Sequence, residues 1–351
     1  MSADSYGQIK RIYDSLADKK SQLIFEKRFM YSLSGDLKYI YEMVISEMEY
    51  YNKDDIMIQA LAWIEWQQKP IVIFGAGFVG LQIASILLHV GKEVRCFIDN
   101  NEKLWGKQKQ GVTICAPNIL PELEEYCVII GVNSHVSEIR RQLLSLGVDE
   151  TRIFVPEKLW WLGKEVQYFD RDIMKPRVHE VFVDGGALDG GDSNAFMEWC
   201  GGNFDKIYMF EPDEKNYEKM RLRGVRDRRI ESFEEGLWSR TDKLRFLEGA
   251  RESSTVSKNG NVMIQVTSID EKLKDVPVTM IKMDIEGCEL EALKGTEETV
   301  RRYRPRLAVC VYHKPEDIVE IPLKILDLNP DYRLYLRHYS YVETETVLYA
   351  I

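Results

Sequence analysis

Over the first 66 positions apolar residues recur at helical spacing: Ile9, Ile12, Tyr13 and Leu16, then Leu37, Ile40, Tyr41, Val44, Ile45 and Met48. That spacing gathers them on one helix face. Stripes rich in Met, Tyr and Trp fill cores more often than they line ligands. Residues 1–66 are therefore predicted to be a helical N-terminal segment used for packing or self-association. From residue 67 the pattern changes. Short apolar runs at 70–74, 94–98, 113–116, 127–130 and 152–155 alternate with helix-spaced stretches. This is the mark of strand–helix–strand units, and it predicts a small Rossmann-like domain over 67–156. Residues 157–177 carry Trp160, Trp161, Tyr168 and Phe169 among mixed charges. They are too aromatic for a floppy linker, and a segment packed between domains or edging a ligand cleft is expected.

The alternation resumes at 178 and runs to 351. Strands are predicted at 181–183, 206–210, within 230–239, from 278, and over 306–313, with helices between them. Runs 244–247 and 262–266 read as a hairpin around Asn259 and Gly260, and 332–339 and 345–351 as an antiparallel pair at a sheet edge. The fold class is α/β: two doubly wound Rossmann-like domains after an N-terminal helical segment.

Two glycine turns carry the chemistry. In the second domain a strand ends in Asp184, and Gly185, Gly186 and Gly190 form a turn before a helix that Asp192 or Ser193 is expected to cap. Strand, glycine turn and helix start make a cradle for a nucleotide-type ligand. Asp184 and Asp189 would flank any pyrophosphate there, and like charges about 6 Å apart repel by roughly 3 kcal/mol at an effective dielectric near 20. S-adenosylmethionine (SAM), a cation without phosphate, suits the turn better than a dinucleotide. Glu211 lies 21 positions past Gly190, where a carboxylate can take both ribose hydroxyls. It is followed by Pro212, and the loop 234–239, with Gly236, is positioned to meet an adenine. In the first domain Gly75, Gly77 and Gly80 complete a Gly-x-Gly-x-x-Gly turn, and Asp99 follows 19 positions past Gly80. Phe74 precedes this turn, so phosphate is admissible. NAD, a nucleotide sugar and a purely architectural turn all remain open.

Composition excludes several classes. The 351 residues are 45% hydrophobic and 30% charged, as in a globular protein, and the net charge of -10 disfavours nucleic acid and anionic membranes. The basic cluster Arg221, Arg223, Arg226, Arg228 and Arg229 reads as a solvated face. Six scattered cysteines show no metal or disulfide spacing, which suits a reducing cytoplasm. No apolar run approaches the ~18 residues of a membrane span.

The string Glu-Val-Phe-Val-Asp-Gly-Gly-Ala-Leu-Asp-Gly at 180–190 is followed by Phe-Glu-Pro at 210–212, Lys-Met-Asp-Ile-Glu-Gly at 282–287 and Tyr-His-Lys at 312–314. With Leu-Arg-His-Tyr-Ser at 336–340 and Glu-Thr-Val-Leu-Tyr-Ala-Ile at 345–351, the half-chain 178–351 resembles FkbM-type methyltransferases. The stretch around Leu16, Asp18, Ser21, Phe25 and Arg28 is similar to what precedes that domain in longer members. The resemblance implies a class I, SAM-dependent fold and methylation of hydroxyl oxygens on sugars or other natural products. Ala187, Leu188 and Asp189 depart from the commoner Gly-x-Gly-x-Gly turn. Residues 97–101, 105–107 and 111–114 resemble small Rossmann domains of sugar-modifying proteins, some of which take a nucleotide sugar.

On this reading Asp184, Gly186, Ala187, Gly190 and Ser193 hold the methionine portion of SAM, and Glu211, Pro212 and Gly236 the nucleoside. Asp284 and His313, at strand ends, orient and deprotonate the acceptor hydroxyl. Lys282 and Glu286 are expected to pair and fix the site. Asp284 and Glu286 alone are a sparse set for a hard cation, so no metal is expected. The other classes open are a nicotinamide- or nucleotide-sugar-binding oxidoreductase or epimerase and a SAM-binding module without catalysis. The partner is a small-molecule or glycan acceptor.

Overall fold

The computed structural model describes residues 3–51, 56–156, 166–222, 227–247, 255, 256, 260 and 262–351. Trp160, Trp161, Arg223, Arg226 and Asn259 lie outside the described residues. The chain forms two compact units. One comprises residues 1–35, 165–339 and 343–351, the other 36–164 and 340–342. The helices expected as one segment over 1–66 are thus shared between the units. Helices α1 (Ala3–Ser15) and α2 (Lys19–Ser34) belong to the larger one, and Gly35 ends α2 in a left-handed conformation. A left-handed glycine is a common helix stop, and the spacing of apolar residues cannot say what lies beyond it.

The smaller unit begins with α3 (Lys38–Tyr51) and α4 (Ile56–Gln67). Then come β1 (Ile71–Phe74), α5 (Phe78–His89), β2 (Val94–Ile98), β3 (Gln108–Lys109), β4 (Val112–Cys115), β5 (Cys127–Ile130), α6 (Val136–Ser145) and β6 (Ile153–Phe154). Its sheet has the order β3-β4-β2-β1-β5-β6, parallel except for β3 against β4. All four β1 residues are buried, as a strand covered on both faces requires.

The larger unit continues with β7 (Glu180–Gly185), α7 (Gly191–Trp199), β8 (Phe204–Phe210), α8 (Glu214–Leu222), β9 (Ile230–Phe233) and β10 (Gly236–Leu237). Next are β11 (Asp242–Leu247), β12 (Thr255–Val256), β13 (Val262–Thr267), α9 (Ile269–Lys272) and β14 (Met280–Met283). The chain ends with α10 (Glu289–Lys294), α11 (Glu297–Tyr303), β15 (Arg306–Cys310), α12 (Asp317–Leu328), β16 (Leu334–His338) and β17 (Thr346–Ala350). The main sheet has the order β16-β17-β15-β14-β7-β8-β9. Strand β17 runs antiparallel to both its neighbours, and the other pairs are parallel. The chain starts at β7, winds out to β9, then returns to β14 beside β7. That switch point puts the ligand crevice at the carboxyl ends of β7 and β14. Strand β11 pairs antiparallel with β13 as expected, but β12 intervenes and also pairs with β11, so no tight turn joins the two.

Residues 16–21 lie along β16, at the sheet edge. Ala17 N donates to Leu334 O at 2.8 Å, and Leu336 N donates to Ser21 Oγ at 2.9 Å. Asp18 caps α2 by accepting from Ser21 N, and it accepts from Arg337 Nη2 at 2.7 Å. Burial opposes the Asp18 charge. The bonds from Arg337 and Ser21 overcome that and hold its carboxyl down to about 2.

Candidate active site

The turn after β7 is shaped by close backbone approach. Gly186 has φ 72°, and a Cβ there would lie 1.9 Å from Asp284 O, so only glycine fits. Helix α7 starts on Gly190, φ 83°, without a side-chain cap. The expected caps are otherwise engaged. Ser193 Oγ donates to Asp184 Oδ2 at 2.7 Å, and Asp192 Oδ2 lies 3.0 Å from Lys282 Nζ.

Lys282 does not pair with Glu286. It is completely buried, and its ammonium also meets Asp184 Oδ1 at 3.1 Å and Gly186 O at 2.9 Å. Three acceptors thus take its three protons. The reason is register: Lys282 sits directly across from Asp184 in the β14–β7 pair. Glu286 lies beyond the strand in a left-handed conformation, so strand alternation does not reach it. Burial works against the Lys282 charge, but Asp184 and Asp192 hold its pKa well above the ordinary value. Burial pushes the Asp184 carboxyl up, against the pull of Lys282. The two shifts pull in opposite senses. The ion pair is the sounder description, because the donors Ser193 and Lys282 occupy both Asp184 oxygens.

At the end of β8, Glu211 Oε1 accepts from Asp213 N and Oε2 from Leu188 N, each at 2.9 Å. These bonds fix its plane and leave each oxygen a lone pair. Burial dominates them and raises Glu211 to about 7. Pro212 and Gly236 adjoin, since a Cβ on Gly236 would lie 3.6 Å from the proline ring.

Asp284 follows β14 directly, and its side chain keeps 23% of its surface open. Tyr168 donates to Oδ2 at 2.8 Å and Tyr312 to Oδ1 at 3.3 Å. Burial would raise this carboxyl; Lys282, His313 and the Tyr168 hydroxyl outweigh it and hold it below its ordinary value. His313 lies three residues beyond the end of β15, not within it. Its Nε2 is 3.4 Å from Asp284 Oδ1 and 3.7 Å from Glu286 Oε2, and its Nδ1 is 3.0 Å from Glu289 Oε1. Burial would lower His313, but Glu289, Asp284 and Glu286 raise it to about 9. At neutral pH this ring is a cation and cannot accept a proton. Burial and the neighbouring acids raise Glu286 to about 7, against the pull of His313.

In the smaller unit, a Cβ on Gly80 would strike Gly75 O at 1.9 Å, so Gly75 and Gly80 meet through packing. Space over Gly77 is open. Asp99 Oδ2 accepts from Ala76 N and Oδ1 from Asn101 N, which ties the acid to the glycine turn and to its own loop.

Residues 184–343, which span the SAM-type turn, Glu211, Asp284 and His313, match the model of the family described as Methyltransferase FkbM domain. Residues 184–343 are an FkbM methyltransferase domain. Those residues are thus of the SAM-dependent methyltransferase class. The model described as C2185-like, N-terminal, matches residues 67–154. Among solved structures, the FkbM methyltransferase of Methylobacillus flagellatus KT is 19% identical, with a TM-score of 0.52 over 83% of this chain and 93% of that one. Aeropyrum pernix fibrillarin with natively bound SAM is 13% identical, with a TM-score of 0.33 over 49% of this chain and 66% of that one. UDP-D-quinovosamine 4-dehydrogenase from Vibrio fischeri is 30% identical, with a TM-score of 0.20 over 25% of this chain and 75% of that one. No curated protein matches. Among the described residues no helix is long and apolar enough to cross a membrane.

In the methyltransferase domain the structure adds residues that spacing did not single out as site residues: Asp192, Glu289 and Tyr312, with Tyr168 reaching in from the aromatic stretch. Only the expectation that 157–177 edges a ligand cleft pointed towards Tyr168.

Proposed function

We propose that the methyltransferase domain transfers a methyl group from SAM to a hydroxyl oxygen of a sugar, glycan or related natural product. One observation carries this: the glycine turn packs against the main chain of Asp284, so the cofactor cradle and a partly open carboxylate are neighbours. The cradle suits SAM, because Gly186 lets the turn lie directly on the Asp284 main chain and Glu211 presents free lone pairs to a ribose. Gly186, Ala187 and Gly190 line the turn, Asp184 and Ser193 hold it from below, and Pro212 and Gly236 flank the adenine side. SAM supplies an electrophilic methyl group. Tyr168 and Tyr312 fix the Asp284 plane, and Asp284 accepts the hydroxyl hydrogen, which aims the alcohol oxygen. As that oxygen gains a substituent its proton becomes strongly acidic, so a weakly basic carboxylate suffices to take it. His313, cationic, and Glu286 flank the acceptor. The test is methyl-ether formation, read by mass spectrometry, over a panel of sugars and glycans with SAM. SAM binding without turnover on any member would favour the non-catalytic module.

Glu211→Ala should weaken SAM binding by about 1.5–3 kcal/mol, the scale of hydrogen bonds to a charged group. Calorimetry reads this directly, and unchanged affinity in the folded variant rules out the ribose role. The carboxylate form is the one that grips hydroxyls. With Glu211 at about 7, SAM affinity should therefore rise between pH 6 and 8, by at most about tenfold per unit below 7, and flatten above it. By linkage, the SAM-free fold loses stability as pH rises through about 7, because burial disfavours ionised Glu211. A SAM affinity independent of pH over this window would contradict the assignment.

For the smaller unit we propose a nucleotide-type ligand seated over Gly77, a nucleotide sugar in preference to NAD. The open backbone there supports it, whereas Asp99 contributes by holding the loop. Titration of the full chain with a UDP-sugar and with NAD should give heat with the former. Heat with neither leaves the glycine turn as packing alone.

A further inference from the structure

Glu289 opens α10 with its side chain wholly buried. Its Oε1 accepts from Ile285 N at 2.9 Å, yet its Oε2 has no hydrogen-bond partner. His313 is nine-tenths buried, and neither ring nitrogen makes a hydrogen bond. The 3.0 Å approach of Nδ1 to Glu289 Oε1 misses the N–H direction, so it is a charge contact only. Buried polar atoms left unsatisfied destabilise the fold unless a ligand meets them. Two carboxylates and an imidazole therefore converge here with unspent donor atoms.

One donor atom each from Asp284, Glu289 and His313 lies within 4.8 Å of the others. Octahedral ions with bonds of about 2.1–2.2 Å keep adjacent ligands roughly 3.0 Å apart and opposite ones a little over 4 Å apart. The Nδ1–Oε1 separation of 3.0 Å matches the adjacent spacing. Two carboxylates with one imidazole, which gives up its proton as the ion binds, suit a divalent ion between the hard and borderline classes, such as Mn²⁺. Three protein ligands leave coordination positions open.

We propose that Asp284, Glu289 and His313 form a binding site for one divalent cation of the Mn²⁺ class, whose open positions take two adjacent hydroxyl oxygens of the acceptor. The ion site stands on the ligand geometry, and the acceptor half rests on the methyl-transfer reading above. A cation there would draw the hydroxyl proton off and hold the oxygen beside the cofactor turn. It would also make a vicinal diol the preferred acceptor.

The experiment uses the full chain after chelator treatment, titrated with Mn²⁺ alone by calorimetry and electron paramagnetic resonance. One site per chain is expected, and Glu289→Gln and His313→Asn should each weaken it by at least about tenfold. Far-ultraviolet dichroism and retained SAM affinity identify folded variants, and loss of Mn²⁺ binding in either folded variant supports the site. Absence of saturable binding up to about 1 mM overturns it. So does an affinity equal to wild type in both folded variants, which would place the ion elsewhere. Mn²⁺ binding at this site without methyl transfer to any acceptor sinks the enzymatic reading and leaves the ion site standing. Chelator-resistant transfer by a chain that does not bind Mn²⁺ does the reverse.

Discussion

Lys282→Ala should destabilise the larger unit by about 3–5 kcal/mol, the usual consequence of removing one partner of a buried ion pair. The ammonium is completely enclosed, and it bonds Asp184, Asp192 and the Gly186 carbonyl together. Without it, Asp184 stays buried beside another acid, and the carbonyl that closes the glycine turn loses its donor. Much of the loss is the penalty of a stranded charge rather than the worth of the pair. Lys282→Ala combined with Asp184→Asn should therefore recover part of the stability. Denaturant unfolding of both variants checks this. A Lys282→Ala protein within about 1 kcal/mol of wild type would mean that the surrounding acids relax into solvent and the lock is dispensable.

Asp284→Asn should lower turnover by about 10²–10⁴, the share of a positioned proton acceptor, while SAM affinity stays nearly unchanged. The amide is isosteric and can keep one tyrosine bond, so the loss reports chemistry more than packing. His313→Ala, although it removes a cation from the same cluster, removes no group able to accept a proton at neutral pH. Single-turnover rates with a confirmed acceptor separate the roles. Wild-type turnover in Asp284→Asn would remove this carboxylate from the mechanism and leave catalysis to positioning.

The strand positions and both glycine turns were legible because buried parallel strands read as apolar runs punctuated by glycine. The place of Glu211 beside the turn was legible from its distance along the chain. Lys282 was recognised, but its role was not. Alternation along one strand says which residues share a face. It does not say which residue of the neighbouring strand stands opposite, and here that was Asp184. Tyr168 reaches Asp284 across 116 positions, and Glu289 meets His313 through a turn outside any strand. Such contacts depend on backbone placement, not on local pattern. The N-terminal helices were readable as helices, whereas the place of α2 beside β16 is held by Asp18, Ser21 and Arg337, polar residues that periodicity ignores.

The strip of residues 16–21 along β16 also sets a timetable for the nascent chain. Ser21 and Asp18 meet Leu336 and Arg337 across 315 and 319 positions. At roughly 5–20 residues per second, the first helices wait some 15–60 s for their strand to be made. The sheet of the smaller unit, by contrast, is complete once residue 154 has emerged. Until β16 and β17 arrive, the apolar stripe of α2, with Ile24 and Phe25, has no strand to cover. The edge that this stretch shields in the finished protein would otherwise be free to recruit a strand from another chain. The interval late in synthesis, with the smaller unit folded and the larger one open, is when the chain most needs protection from aggregation.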